Sequence, residues 1–359
     1  MTGLVDPRTT DGGHASDPPS DPDGAAGAVP DPAADGPLTD AEAEQIATTA
    51  SAVVSAMGTV IEGKRSVAEL TVLVMLSGGH LLVEDVPGVG KTMLAKSLAA
   101  ALRADRRRIQ FTPDLLPGDI TGASVFNQGT REFEFRPGAV FTQVLLADEI
   151  NRASPKTQSA LLEAMEERQV SADGSTYALP EPFMVLATAN PVEMEGTYRL
   201  PEAQRDRFLA QTSMGYPDPR AEARMIDHQT GPLAQEAHDP VDLLEAVTDP
   251  ATIAAHTTAI RRVHVAPDLL DYVVRLASAA RDHPHVVLGA SPRAAVHLVR
   301  AAKAHAALRV RTYVRPEDVR AVLEPVWRHR LHLSPQALSR GTTADEVLSD
   351  ILGSTPLSP

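Results

Sequence analysis

The chain has no cysteine, few aromatic residues and no long hydrophobic run. The lack of cysteine excludes disulfide scaffolds, thiol nucleophiles and cysteine-ligated zinc or iron–sulfur sites. No apolar stretch approaches the ~20 residues that a membrane-spanning helix needs, and no basic segment followed by an apolar one resembles a secretory signal. The sequence therefore predicts a soluble protein without a membrane span, located in the cytoplasm.

Positive charge is also scarce. Lysine and arginine number 33 against 47 aspartates and glutamates, a net charge of −14, which argues against nucleic acid as the main partner. The excess of negative charge is most marked in residues 1–38, which contain seven aspartates, one arginine and no lysine. The same segment contains thirteen glycines or prolines. Because such a segment cannot bury enough apolar surface to offset its chain entropy, we expect a disordered tail over 1–38.

The folded part is predicted to begin at Thr39. Thr39 and Glu42 have the spacing of a capping box, in which each side chain accepts a hydrogen bond from an amide of the first helical turn. The helix that follows has an apolar stripe made of Ile46, Val53, Val54 and Met57. A second helix is expected over 67–77, followed by a short strand over 80–83.

A glycine-rich loop with a lysine follows this strand directly. Residues 84–92 read EDVPGVGKT and precede a helical pattern with Leu94, Leu98 and Leu102 on one face. In a phosphate-binding loop the glycines let backbone amides face the phosphates, the lysine reaches the β- and γ-phosphates, and the threonine hydroxyl coordinates magnesium. The strict pattern has glycine where Asp85 stands, and the alternative is a plain turn between strand and helix. The segment predicts ATP and Mg²⁺ as ligands, with contacts from Pro87, Gly88, Val89, Gly90, Lys91, Thr92 and Met93.

Two further apolar runs end in polar residues. Residues 144–147 lead into Asp148 and Glu149, and residues 183–188 lead to Asn190. Because parallel strands present their carboxyl ends at one sheet edge, these side chains would lie beside the phosphate loop. Asp148 can then hold magnesium together with Thr92, Glu149 can polarise the attacking water, and Asn190 can fix the position of that water. The alternatives are a solvated acidic turn and an ordinary Asn-Pro turn.

Two arginines complete the set of candidates. Arg207 follows Asn190 on a predicted short helix and could reach the γ-phosphate bound by a neighbouring subunit, and Arg205 is the alternative for this role. Arg293 opens a predicted helix in the C-terminal region. An arginine that stabilises the transition state of phosphoryl transfer is worth about 10³- to 10⁵-fold in rate. Taken singly, either residue is better interpreted as an ordinary surface or salt-bridged arginine.

The order of phosphate loop, acidic strand end, strand-end asparagine and two arginines is similar to that of AAA+ ATPases. Within that superfamily the chain resembles the MoxR family of the helix-2-insert clade from about residue 45 to 335. The resemblance is carried by FTPDLLPGDITG at 111–122, DEINRA at 148–153 with KTQSALLEAMEE at 156–167, and LPEAQ at 200–204. It implies that Gly90, Lys91 and Thr92 belong to the Walker A motif and that Asp148 and Glu149 belong to the Walker B motif. It also implies that Asn190 is sensor 1, Arg207 the arginine finger and Arg293 sensor 2. Departures from the usual pattern are Asp85, Ser154 and Arg205.

Two β-hairpin insertions are expected. Strand-like residues 123–126 and 131–135 flank a glycine-containing turn, and residues 169–172 and 176–179 flank Asp173-Gly174, a type I′ signal. The family resemblance implies that such hairpins face the centre of a ring and contact a client protein. Ordinary solvent-exposed hairpins are the alternative.

The C-terminal part reads as a helical lid. Apolar residues recur at helical spacing in three groups: Leu269, Val273 and Leu276; Val296, Val299 and Leu308; Val319, Val322 and Val326. The histidines from His256 to His332 are interpreted as surface residues rather than metal ligands, and Trp327 as core. The predicted organisation is a tail over 1–38, an AAA+ α/β core with a parallel sheet over 39–231, a linker over 232–250, a lid over 251–340, and a short helix with a loose end over 341–359.

The function implied by the resemblance is ATP hydrolysis by a homo-oligomeric ring, with six subunits expected, that remodels protein clients in a chaperone-like role. Its implied partner is a protein with a von Willebrand factor A domain, for example in the maturation or cofactor activation of an enzyme complex. The alternatives are a magnesium-chelatase-type motor subunit and a DNA-dependent AAA+ remodeller. The acidic net charge favours protein clients over DNA.

Overall fold

A computed structural model describes residues 36–86, 88–190, 200–216, 219–230 and 239–357. The predicted tail up to residue 35 and the nucleotide contact Pro87 lie outside the described residues. Leu38, which the sequence placed in the tail, is instead buried in the core with 4% of its surface exposed. The predicted linker is described only from Asp239 onward, so the domain boundaries stay predictions.

The N-terminal half alternates helices and strands. The helices are α1 (Asp40–Gly58), α2 (Arg65–Leu76), α3 (Lys91–Ala101), α4 (Pro117–Thr121), α5 (Pro155–Glu167), α6 (Glu202–Arg205) and α7 (Pro219–Thr230). The strands are β1 (Leu81–Glu84), β2 (Arg106–Gln110), β3 (Gly122–Asn127), β4 (Glu132–Pro137), β5 (Val144–Asp148), β6 (Gln169–Ala172), β7 (Ser175–Ala178), β8 (Met184–Ala189) and β9 (Ala210–Thr212). The predicted capping box is present at the start of α1, where Glu42 accepts from the Thr39 amide over 2.8 Å.

The described residues contain a five-stranded parallel sheet in the order β2-β5-β8-β1-β9. Its three central strands are continuous apolar runs because helices cover both faces of the sheet. Alternate residues of a strand contribute to different faces: Leu81 and Val83 pack with α1, α2 and α3, whereas Leu82 packs with α5 and Phe111. This is the α/β architecture that the sequence predicts.

Strand β2 was not predicted from the sequence. It lies at one edge of the sheet, and its first three residues are the exposed arginines Arg106, Arg107 and Arg108. Charged residues are common on an edge strand because they discourage pairing with another chain. They also remove the apolar pattern by which the other strands are recognised.

Both predicted hairpins form. Strands β3 and β4 pair antiparallel, as do β6 and β7. At the turn between β6 and β7, Asp173 and Gly174 have φ values of 50° and 80°, as a type I′ turn requires. On the first hairpin, Phe126 and Phe133 meet edge to face with ring centroids 5.4 Å apart, and Phe133 is 73% exposed.

The C-terminal part is helical and shares its apolar core with α1, α2 and α3. Its elements are α8 (Pro250–Ile260), α9 (Pro267–Asp282), β10 (Val286–Leu288), α10 (Pro292–Ala307), α11 (Pro316–Trp327), β11 (His332–Leu333), α12 (Pro335–Ser339) and α13 (Ala344–Ser354). Trp327 is fully buried, as predicted, and its indole N–H donates to the Ala294 carbonyl over 3.0 Å.

The helix predicted around Val296 and Val299 is present as α10, but its buried face is formed by Ala294, Leu298 and neighbouring alanines, while Val296 is 58% exposed. One sequence interpretation in this part was wrong. His297 and His329 are buried rather than on the surface. Each is accommodated by a hydrogen-bond partner, the Arg330 guanidinium for His297 and the Phe208 carbonyl for His329.

Candidate functional site

The glycine-rich loop joins β1 to the amino end of α3. Gly88 and Gly90 have φ values of 88° and 91°, a left-handed conformation that glycine adopts without strain. The space beside Gly88 is open, since a β-carbon there would meet no atom within 4 Å. The unpaired amides of the first turn of α3 lie at this loop, which suits the binding of phosphate.

Lys91 is oriented by the loop itself. Its ammonium donates to the carbonyl oxygens of Asp85 and Val86 over 2.8 and 3.2 Å. Partial burial lowers the pKa of Lys91, and the negative charges of Asp148, Asp85 and Glu149 oppose this shift. The structure thus brings the lysine of the loop and the acidic strand end together.

Asp85, which stands where the strict pattern has glycine, is a hydrogen-bond acceptor between two segments. Its carboxylate accepts from the amides of Val86 and Gly215 over 2.8 and 2.6 Å and from the Ser213 hydroxyl over 2.8 Å. Burial opposes ionisation of this carboxyl, but these hydrogen bonds outweigh it and hold the pKa of Asp85 below its ordinary value. Asp85 therefore fixes the segment after β9 against the phosphate loop, where the Met214 methyl lies 3.7 Å from the position of a β-carbon on Gly90.

Asp148 ends β5 and is mostly buried. One carboxylate oxygen accepts from the Thr188 hydroxyl over 2.6 Å, and the other pairs with Arg108 at 2.7 Å. The Thr188 hydroxyl also accepts from the Glu149 amide over 2.8 Å. Thr188 thereby connects β8 to the acid pair, a role that the sequence analysis missed.

Glu149 has a left-handed backbone with φ 56° and ψ 50°, which turns the chain sharply at the end of the strand. Its carboxylate accepts from the Gln110 amide over 2.7 Å and pairs with Arg152 at 2.8 Å. Gln110 comes from the unpredicted strand β2, so the sequence offered no signal for this contact. Asn190 lies at the end of β8, between β5 and β1, and its carbonyl accepts from the Asn151 side chain over 3.2 Å.

Arg207 and Arg293 lie at the opposite edge of the sheet. The backbone of Leu209, two residues after Arg207, pairs with His80, which precedes β1. Both guanidiniums contact the Glu166 carboxylate, at 2.9 Å from Arg207, and Arg207 also donates to the Leu162 carbonyl over 2.6 Å. The length of β1, about 13 Å for four residues, separates this edge from the phosphate loop.

A cavity of about 640 Å³ opens at this amino edge. Its lining includes Glu166 and Glu181 and five arginines, namely Arg168, Arg207, Arg261, Arg293 and Arg300. Burial, followed by repulsion from Arg300, lowers the pKa of Arg168 to about 10. Arg168 and Arg300 both donate to the Gly78 carbonyl, just beyond the carboxyl end of α2.

Arg205, the alternative to Arg207 for the finger role, lies 3.6 Å from Glu84.

Known proteins of similar sequence point to one family. The model of the ATPase family associated with various cellular activities (AAA) matches residues 80–210, and that of the AAA lid domain matches residues 278–351. The chain is 43% identical to the chaperone MoxR1 of Mycobacterium tuberculosis over 83% of this chain and 79% of that protein. The chain belongs to the MoxR family of AAA+ ATPases.

Two further comparisons support the family assignment. The uncharacterized protein YeaC of Bacillus subtilis is 46% identical over 82% of this chain and 90% of its own length. The crystal structure of a candidate ATPase from Cytophaga hutchinsonii superimposes with a TM-score of 0.79 at 35% identity, covering 88% of this chain and 97% of that one. Within the described residues of this MoxR-family chain, no helix has both the length and the apolar character of a membrane span.

Proposed function

We propose that this MoxR-family chain hydrolyses ATP in a head-to-tail ring and remodels protein clients. The observation that carries the proposal is the division of the candidate residues between two sheet edges. Lys91, Asp148, Glu149 and Asn190 lie at the carboxyl edge, whereas Arg207 and Arg293 lie at the amino edge. A single chain cannot direct both sets at one nucleotide, but a repeated head-to-tail contact joins the two edges of neighbouring copies.

At the carboxyl edge the chain would bind and orient the nucleotide. The amides of the loop and the Lys91 ammonium hold the phosphates, and Glu149 accepts the hydrogen bond of the attacking water, which Asn190 helps to place. The hydroxyl of Thr92 and the carboxylate of Asp148 are hard oxygen donors that suit Mg²⁺. When bound, Mg²⁺ would neutralise part of the phosphate charge.

At the amino edge the chain would contribute arginines to the nucleotide site of the neighbouring copy. Arg207 supplies positive charge to the γ-phosphate held by the adjacent copy, as a finger in trans, and Arg293 adds a second guanidinium. The contact between Arg205 and Glu84 supports Arg207 over Arg205 for this role, because Glu84 ends β1 at the carboxyl edge and so directs Arg205 away from the amino edge.

The proposed binding of client proteins rests on the exposed hairpin of β3 and β4 and on membership of the MoxR family. An exposed aromatic pair such as Phe126 and Phe133 is apolar surface available to a polypeptide. We propose a chaperone-like remodeller with a von Willebrand factor A domain partner, acting in the maturation of an enzyme complex. Co-purification of such a protein with a hydrolysis-deficient ring is the measurement that checks this part.

Mixed rings test the arrangement in trans. Arg207→Ala and Lys91→Ala proteins are each expected to be inactive, the first for lack of the finger and the second for lack of phosphate binding. Mixed before assembly, they should regain part of the wild-type ATPase rate, because some interfaces combine an intact loop with an intact finger. No recovery at any mixing ratio, with rings formed, would contradict the proposal.

A further inference from the structure

Glu166 connects the two arginines of the amino edge. Its Oε2 lies 2.9 Å from Arg207, and its Oε1 forms an ion pair with Arg293. The three side chains come from the last turn of α5, from the segment before β9 and from the first turn of α10. One carboxylate of the core therefore bridges a core arginine and a lid arginine.

The position of Glu166 is unfavourable for its own helix. The carboxyl end of α5 has a partial negative charge, and no basic residue lies in that last turn. A carboxylate there gains nothing from the helix, so its stabilisation comes from the two guanidiniums. All three side chains remain about one third exposed, at 36% for Glu166, 30% for Arg207 and 37% for Arg293. They can therefore still meet an anion brought by another molecule.

Without the carboxylate, the two guanidiniums would repel each other. They share a single bridging group, so their separation is only a few ångströms, and like charges at that distance favour divergent rotamers. With Glu166 in place the cluster keeps a net positive charge, and both guanidiniums are held at the same carboxylate. Arg207 is further fixed by the carbonyl of Leu162, which lies on α5 together with Glu166.

The backbone around the cluster is held by other contacts. Asp206 accepts from Arg330 over 2.7 Å and from the Ser291 hydroxyl over 2.9 Å, which joins the segment before β9 to the amino end of α10. Ser291 in turn caps α10 through the Ala294 amide. Loss of Glu166 would therefore disturb the two arginine side chains while the lid stays docked on the core.

We propose that Glu166 is a positioning residue that presents Arg207 and Arg293 as a pair to the nucleotide of the adjacent subunit. The role rests on the proposed function, since it requires that these arginines act in trans. Glu166 acts on the rate of hydrolysis at the neighbour's site, and not on nucleotide binding in its own chain.

The test is the ATPase kinetics of Glu166→Gln, with Glu167→Gln as the matched control from the same turn. For Glu166→Gln we expect kcat to fall at least tenfold, with the affinity for ATP and the ring size unchanged. Glu166→Asp keeps the charge and should retain more activity, and Glu167→Gln should match the wild type. Mixing Glu166→Gln with Lys91→Ala subunits should restore turnover, because the latter present an intact Glu166 to the loops of the former.

Several results would overturn the role of Glu166. These are a kcat within twofold of wild type, a higher kcat, or a loss confined to ATP affinity. The mixture of Arg207→Ala with Lys91→Ala is the reference for action in trans. Recovery in that mixture without recovery for Glu166→Gln rejects the positioning role alone, whereas failure of both mixtures rejects the ring arrangement and the positioning role with it.

Discussion

The side-chain amide of Gln110 donates a hydrogen bond to the Glu149 carboxylate over 2.7 Å. The same carboxylate oxygen pairs with Arg152 at 2.8 Å. Glu149 is therefore held by two donors from the protein at the sheet edge beside the phosphate loop. To accept a hydrogen bond from an attacking water it must offer its second oxygen or release one of these partners.

Glu149→Gln should bind ATP but hydrolyse it far more slowly. An amide keeps the size of the side chain but is a much weaker hydrogen-bond acceptor for water than a carboxylate, and general-base contributions are typically about 10²- to 10⁴-fold. Steady-state phosphate release together with nucleotide binding measures both effects. Glu163→Gln, an exposed position on α5, is the control. Unchanged turnover would remove Glu149 from its proposed role.

Asp85→Asn should weaken nucleotide binding and lower the stability of the core. The new amide group would face the donors Gly215 N–H and Ser213 O–H, which both contact one oxygen of Asp85. Unsatisfied buried groups of this kind cost about 1–3 kcal/mol. Denaturant unfolding and titration with a fluorescent nucleotide measure the two effects. Asp173→Asn is the control because asparagine suits the left-handed turn there. Two unchanged measurements would show that Asp85 does not fix the segment after β9.

Acid should destabilise the fold below about pH 6.5. Burial, followed by repulsion from Arg330, lowers the pKa of His297 to about 3, and burial lowers the pKa of His80 and His329 in the same direction. In the unfolded chain these histidines take up protons near pH 6.5. Their stabilising contribution is therefore complete above that pH and is lost as the pH falls below it, by up to about 1.4 kcal/mol per pH unit for each histidine.

Unfolding free energies between pH 7.5 and 5 check this prediction. His297→Gln removes one titrating group and keeps an acceptor for Arg330, so its stability should depend less steeply on pH. His264→Gln, at an exposed position, should leave the slope unchanged. If the unfolding free energies of wild type and His297→Gln depend equally steeply on pH, His297 does not contribute to the loss of stability in acid.

Much of the fold could be predicted because its signals are local. The capping box at Thr39, the glycines before α3 and the turn at Asp173-Gly174 each fix the backbone through neighbouring residues. The buried central strands are recognisable as apolar runs. Strand β2 was missed because its arginines hide the apolar pattern, and the buried face of α10 was not evident because most of it is made of alanines.

The sequence by itself determined the phosphate loop, the acidic strand end and the family, since each is a run of adjacent residues. Only the tertiary structure decided which side chains distant in sequence contact one another. It brought Asp85 to the segment after β9, Gln110 to Glu149, and Glu166 to both Arg207 and Arg293. The residues in each of these contacts are 39 to 130 positions apart, and they meet because strand order and helix packing bring distant segments together.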